Sequence, residues 1–375
     1  MLNSGVKDVY DMVVINDTGS TDGTQDLIRK WGEETGIPTY VFERPFDNFC
    51  NSRNYAMEMA RQMVDKHGWK REECWTGWND ADETLIKHPN FDKQKMDKDL
   101  YMINTFIGSM KYTRNTFGRM SKPFKFYGPV HEFIICEDQN ISSGLIEGLH
   151  VDVKMIGASW KGNIADKYKK HSAILEDYID NEDRNSRWVF YTAQSYHDSA
   201  TLPDNREENE ERLRRSMKYY QERINRLDGY EEERFYSQFR IGTIMKVLEM
   251  PWADTHQALI KAHAMDPLRG EPIKVIIDHY LSTQEWSLAY VYTKFAVTTL
   301  HNNNPYPTRL LFVDESLYNW RFLEVHAAAS IYCGKKEEAR QTFNQLLDVL
   351  RKNPQWFNAD EVQKINMNAQ FFKNN

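Results

Sequence analysis

Met12-Val13-Val14-Ile15-Asn16-Asp17-Thr18-Gly19-Ser20-Thr21-Asp22-Gly23-Thr24 passes from apolar, β-branched residues directly into a loop of carboxylates, hydroxyls and glycines. Met12 to Asn16 reads as a buried strand and the loop as a turn into a helix. That helix is expected over Thr24 to Trp31, with Leu27, Ile28 and Trp31 on one face and Ser20 or Thr21 near its start as a cap. Thr39 to Phe42 reads as a second strand. Asn51 to Val64 reads as a second helix with Tyr55, Ala56, Met59, Ala60 and Met63 in a stripe, and Cys74 to Trp78 as a third strand. This βαβαβ order predicts a parallel sheet with right-handed crossovers. Ligands of such sheets lie outside the carboxyl ends of the strands, where Asp17 falls.

About sixty residues beyond Asp17, a second acidic stretch, Trp78-Asn79-Asp80-Ala81-Asp82-Glu83, follows the third strand. Surface loops often produce a D-x-D pattern; at a strand end beside the first loop it gains meaning. Acidic side chains there can hold a hard divalent cation, and that cation can hold a diphosphate. The expected division places Asp17 on a nucleobase or ribose, Asp80 toward ribose and metal, and Asp82 on Mg²⁺ or Mn²⁺, with Glu83 as local support. The first loop is no EF-hand: aligning Gly23 with the obligatory glycine puts Arg29 where the bidentate Glu belongs. It also lacks the Gly-Lys of a P-loop. The competing reading is a plain βα turn with glycines for backbone angles and hydroxyls as caps.

Arg53, in Asn51-Ser52-Arg53-Asn54, opens the second helix, where the helix terminus adds positive potential for a nucleotide. The bland alternative is a surface arginine paired with Glu58 or a neighbour. Gly128-Pro129-Val130-His131-Glu132 offers a general base or a metal ligand, against a simple strand entry. His150 is a further candidate ligand, or a satisfied structural histidine.

From Leu100 to Val153 short β-like runs appear: Tyr101 to Ile107, Phe117 to Met120, Phe124 to Tyr127, Phe133 to Cys136 and Leu149 to Val153. They are expected to form the far half of the same sheet plus a small antiparallel element. After about Gly162 the pattern turns helical, from Asp166–Ile179 and Trp188–Ser199 through to Lys336–Leu350, with breaks such as Asp266 to Gly270 and Asn302 to Pro307. Stacked antiparallel helix pairs are expected, Ala327 to Ala339 with Gly334 at its turn resembling one tetratricopeptide-type hairpin.

A length of 375 residues suits about two domains. A net charge of −7 argues against broad electrostatic binding of nucleic acid or anionic membrane. Cys50, Cys74, Cys136 and Cys333 form no Cys-x-x-Cys pair and read as free thiols. With no signal-like or membrane-length apolar run, a cytoplasmic chain is expected.

At these motifs the chain resembles a family 2 glycosyltransferase of the GT-A fold. The likeness rests on Val13 to Thr24, on Phe49 to Ala56 with Ser52-Arg53-Asn54, and on Trp78 to Glu83. The subgroup with a tetratricopeptide-like extension also shows a Gly-x-Val-His-Glu segment, as at Gly128 to Glu132, and a later strand ending in His, as at His150. The resemblance implies an α/β, Rossmann-like GT-A nucleotide-diphospho-sugar transferase domain over residues 1–160, followed by an all-α helical-repeat domain over 161–375.

It further implies metal-dependent, inverting transfer of a sugar from a nucleotide sugar, with UDP the expected nucleotide. Asp17, Arg53 and Asp80 would bind the donor, Asp82, Asp80 and His150 would hold Mn²⁺ or Mg²⁺, and Glu132 with His131 would carry the chemistry. Protein and glycan both suit as acceptor, and the helical region suits acceptor binding or homodimer formation. The family's usual first strand is expected to be missing, since Met1 to Val9 reads as the tail of the helix that follows it. Two rivals accompany this reading. One is a GT-A-like binding scaffold without turnover; the other is a nucleotidyltransferase, which would release pyrophosphate instead of a nucleoside diphosphate.

Overall fold

The computed structural model describes residues 2–108, 110–154, 164–200, 205–301 and 311–374. The expected boundary at 160/161 and the expected loop at 302–307 lie outside them. The chain divides into two compact units. One spans residues 1–108 and 112–204; the other takes in 109–111 and 205–375.

In the first unit a helical turn over Leu2–Val6 continues into α1 (Lys7–Val9) and leads to β1 (Val13–Asp17), α2 (Thr24–Thr35), β2 (Thr39–Glu43) and α3 (Phe49–Lys66). β1 and β2 pair in parallel, Val13 opposite Thr39 and Asp17 opposite Glu43, as a βαβ unit requires. The α2 turn is shaped by Asp22, whose carboxylate accepts the Thr24 amide at 3.1 Å and the Thr24 hydroxyl at 2.6 Å, rather than by Ser20 or Thr21. Asn48 caps α3 by accepting the Asn51 amide at 2.8 Å. Met57, Ala60 and Val64 are the buried residues of α3, a face rotated from the stripe expected in the sequence.

The third strand does not extend this pair. β3 (Trp75–Gly77) lies antiparallel on β6 (Met110–Arg119), Trp75 opposite Arg119 and Gly77 opposite Phe117. Two contacts fix it there. The Arg119 guanidinium lies 4.2 Å over the Trp75 ring. Gly77 leaves room for its neighbours: a Cβ there would sit 2.3 Å from the Tyr10 hydroxyl and 2.5 Å from the Phe117 ring. After β3 come β4 (Glu83–Lys87), β5 (Leu100–Ile107), β6, β7 (Phe124–Tyr127), β8 (Phe133–Cys136) and β9 (Ser143–Val153). The larger sheet therefore runs β6-β5-β9-β4 with β3 on β6, and β7 and β8 form a separate hairpin.

No ladder joins β1 to this sheet among the described residues, yet they share a core. Val13 packs with Leu85, Ile103, Phe117 and Val151 on one side. Val14 and Cys74 pack against Ala60, Val64 and Met120 on the other. Two helices, α4 (Ile164–Asn181) and α5 (Ser186–Asp198), complete the first unit, although in sequence they run on into the helical pattern that follows.

The second unit is helical: α6 (Arg206–Asn225), α7 (Glu231–Val247), α8 (Trp252–Met265), α9 (Glu271–Ser282), α10 (Trp286–Phe295), α11 (Phe322–Tyr332), α12 (Lys336–Lys352) and α13 (Ala359–Asn374). Each of these packs on its sequence neighbours, as in stacked helix pairs. The α11–α12 hairpin turns at Gly334 and buries Ala327, Ala329, Ala339 and Phe343. No helix among the described residues is long and apolar enough to cross a membrane.

Candidate active site

The turn between β3 and β4 carries Asp80 and Asp82, and Glu83 builds it. The Glu83 carboxylate accepts the Asp80 amide at 3.0 Å and the Asn79 side-chain amide at 3.3 Å. Its charge is matched by Arg114 on β6, which donates at 2.5 Å. Burial opposes the Arg114 charge, but the Glu83 partner overcomes it and raises the arginine above its ordinary range. Tyr10 donates to the side-chain amide oxygen, Oδ1, of Asn79 at 2.7 Å and closes the turn. The local-support role expected of Glu83 is what these contacts describe.

Asp80 faces Arg53. Nη2 of Arg53 donates to both Asp80 oxygens, at 2.8 and 3.0 Å. Nε of the same guanidinium lies 3.2 Å from Oε1 of Glu132, whose side chain is 7% exposed against 50% for Asp80. One arginine thus bridges two carboxylates that lie far apart in sequence. The bland pairing with Glu58 does not occur; Glu58 meets Arg61 and Gln62. Arg53 is held over the Phe126 ring at 5.3 Å. The neighbouring Asn54 clamps β7: its carbonyl oxygen accepts the Phe126 amide at 2.7 Å and its amide donates to the Phe126 carbonyl at 3.0 Å. That clamp sets the β7–β8 hairpin against α3, so the hairpin loop can bring Glu132 to Arg53.

The hairpin loop is Gly128 to Glu132. Gly128 has φ +116°, and a Cβ there would come within 2.1 Å of the Trp188 ring, so only glycine fits. His131 has φ +53°, an uncommon conformation for a residue with a side chain. It is held there by Arg187, which donates to the His131 carbonyl at 3.0 Å and lies 4.5 Å over Phe133 and 4.7 Å over Tyr191. The His131 ring stacks on Tyr191 at 4.3 Å and meets His171 edge-on at 5.5 Å. Burial drives its pKa down to about 3, helped by His171, Arg187 and Lys167. Burial and Lys167 take His171 down to about 4. Both imidazoles are neutral near pH 7. Adjacent residues therefore part company: Glu132 turns to Arg53, and His131 packs against α4 and α5.

Asp17 is largely committed to its own loop. Oδ1 accepts the Gly19 amide at 3.0 Å, the Ser20 amide at 2.9 Å and the Gln25 side chain at 2.9 Å, and the residue is 6% exposed. Burial pushes its carboxyl up; the hydrogen bonds from Ser20, Gly19 and Gln25 outweigh that and leave it below the usual range. His150 stands elsewhere. It lies opposite Ile86 on β4, and its ring contacts His88 at 2.9 Å and Asp152 at 3.5 Å. The described residues do not bring it to Asp82, which is opposite Lys154 at the other end of β4.

Several neighbours of the acidic turn were not found from sequence. Lys167 on α4 feels Asp82 and Asp80, which oppose the lowering of its pKa by burial. Tyr112 on β6 lies within the fields of Arg114, Glu83, Tyr191 and Asp80. Lys167 lies in the run Asp166–Ile179, which in the sequence reads only as a helix of the extension.

Among the described residues no three His, Cys, Asp or Glu side chains converge as a ligand set. Asp80 and Asp82 nevertheless supply hard oxygen donors two residues apart. Mg²⁺-type sites commonly use one or two carboxylates and take the rest from water and substrate phosphate. The donor set fits an ion completed by a diphosphate, and does not fit a cage built by protein alone.

Comparison with known proteins returns a consistent relative. The chain is 25% identical over 232 residues to the SPbeta prophage-derived glycosyltransferase SunS of Bacillus subtilis strain 168 and to the glycosyltransferase SunS of Bacillus phage SPbeta, covering 58% of this chain and 50% of each relative. The chain thus spans about half the length of the curated relatives it matches. No family model matches. Two solved structures of MamA align with TM-scores of 0.33 and 0.34 at 14% and 13% identity, over 50% and 52% of this chain and 93% of each MamA chain.

Proposed function

We propose that this chain is a metal-dependent, inverting glycosyltransferase of the GT-A, family 2 type that takes its sugar from a nucleotide sugar. The observation that carries the reading is the convergence of Asp80, Arg53 and Glu132 at the β3–β4 turn, with Asp82 two residues on. The similarity to SunS supports the same class of chemistry.

In this reading the acceptor hydroxyl attacks the anomeric carbon from the face opposite the diphosphate. The new carbon–oxygen bond forms as the bond to the phosphate oxygen breaks, its electron pair leaving with the nucleoside diphosphate. Glu132 takes the acceptor proton. A divalent cation held by Asp82 and Asp80, Mn²⁺ or Mg²⁺, would supply charge neutralisation at the diphosphate. Lys167 adds positive charge on that side. Asp17 shapes the loop at the end of β1, where the nucleoside, with UDP preferred, would lie. A protein or a glycan would suit as acceptor, and the helical unit would suit acceptor binding or homodimer formation.

A second reading, a GT-A-like scaffold without turnover, is favoured by one observation: Arg53 already satisfies both Asp80 and Glu132. Assaying nucleoside diphosphate release from a panel of nucleotide sugars with Mn²⁺ separates the two. Release that is lost in Asp82→Asn supports the transferase. Nucleotide binding without release supports the scaffold.

A further inference from the structure

Arg53 occupies an unusual place for a donor-binding residue. Its Nη2 spends itself on both oxygens of Asp80, and its Nε on Glu132. These are the first carboxylate of the D-x-D turn and the carboxylate expected to accept the proton. A guanidinium between two carboxylates does what a divalent cation would do there: it cancels their repulsion and fixes their positions. The Asp80 end of the bridge is half exposed and the Glu132 end is buried. The bridge can therefore open from the Asp80 side, where a solvated ion would arrive.

We propose that Arg53 is a resident counter-ion that holds the cation's place at Asp80 until the donor's metal displaces it there. Binding of the metal–donor complex to Asp80 releases the Arg53 guanidinium from the exposed end of the bridge and leaves it paired with Glu132 alone. The inference rests on the transferase reading and adds an order of events to it. Asn54 and Phe126 support it structurally. They lock the segment carrying Glu132 to α3, so exchange of partners at Arg53 does not require the hairpin to move.

The test measures Mn²⁺ binding without nucleotide, by calorimetry and by the loss of the free-ion electron paramagnetic resonance signal. It uses the full chain as wild type, Arg53→Lys and Arg53→Gln. Removing the guanidinium makes the turn more negative by one charge, so Arg53→Gln should bind Mn²⁺ on the order of ten-fold more tightly than wild type. Arg53→Lys keeps the charge but cannot fork across two carboxylates, and should fall between them. Arg53→Gln strands Glu132 in a buried position. If it does not fold, judged by circular dichroism and thermal unfolding, Arg53→Lys decides alone, and tighter binding than wild type is still required. No gain in affinity, including no detectable binding by any of the proteins, overturns the inference. A parallel titration of wild type with Mn²⁺ and UDP keeps the two claims separate. Binding there without a gain in the variants sinks the counter-ion role and spares the donor site; failure of wild type to bind Mn²⁺ with UDP counts against the transferase reading itself.

Discussion

The Asp80 amide donates to the Glu83 carboxylate at 3.0 Å, so the residue that begins β4 dictates how the acidic turn before it is presented. The relationship is a local one, i to i+3, but it depends on Arg114 from a strand that comes thirty-one residues later. Glu83 is 3% exposed and Arg114 about a quarter. Glu83→Ala removes one partner of a largely buried pair and frees the turn. A loss of about 3 kcal/mol is expected, read as a lower midpoint in urea denaturation. Glu83→Gln, which keeps an acceptor oxygen, should lose less. Equal stability of Glu83→Ala and wild type would contradict the turn-building role.

Gly128→Ala places a methyl against Trp188 in a backbone conformation that alanine resists. A destabilisation of about 2–4 kcal/mol is expected from overpacking and strain together. Thermal unfolding reads it. Gly108→Ala is the comparison: it has positive φ but open space around its Cβ, and should cost less.

Acid should weaken the first unit earlier than carboxylate chemistry alone would. His131 and His171 are held neutral in the fold, with pKa values near 3 and 4 against 6.5. The unfolded chain binds these protons first, so their contribution is complete above about pH 6.5 and declines as pH falls toward about 4. Each histidine can withdraw up to about 2 kcal/mol between pH 6.5 and pH 5. Denaturation midpoints measured across that window should fall in wild type and fall less in His171→Phe. A flat profile in wild type would contradict the buried, neutral assignment.

The local elements around this turn are legible in the sequence, and the long-range ones are hidden for physical reasons. The β1–β2 pair with α2 and α3 was legible because apolar runs and helical periodicity are local signals. The turn that carries Asp80 and Asp82, and the supporting role of Glu83, are legible because the turn directly follows an apolar strand. The partner of β3 was not: three residues carry too little pattern to distinguish a parallel neighbour from an antiparallel one, and β6 lies some forty residues away. Asp17 was seen as a strand-end carboxylate, but whether it faces a ligand or its own loop depends on the backbone of Gly19 and Ser20. His131 and Glu132 read as a pair from their adjacency; the positive φ at His131 separates their side chains, and sequence does not announce such an angle. Lys167 and Tyr191 were hidden because helices after the sheet look alike whether they pack on it or leave it.

Glu132→Gln tests the base. Donor binding should persist, because the amide keeps the shape of the side chain, while transfer falls by about 10²–10⁴-fold. Separate measurements of nucleotide binding and nucleoside diphosphate release distinguish the two effects. Unchanged release would remove Glu132 from the mechanism.

The most direct test of the whole account is calorimetric titration of the protein with UDP in the presence of Mn²⁺, repeated with Asp82→Asn and with chelator added. The expected result is metal-dependent binding by wild type, lost with chelator and lost in an Asp82→Asn protein that melts at the wild-type temperature. Metal-independent binding, or equal binding by Asp82→Asn, would contradict a cation-bearing donor site at the β3–β4 turn.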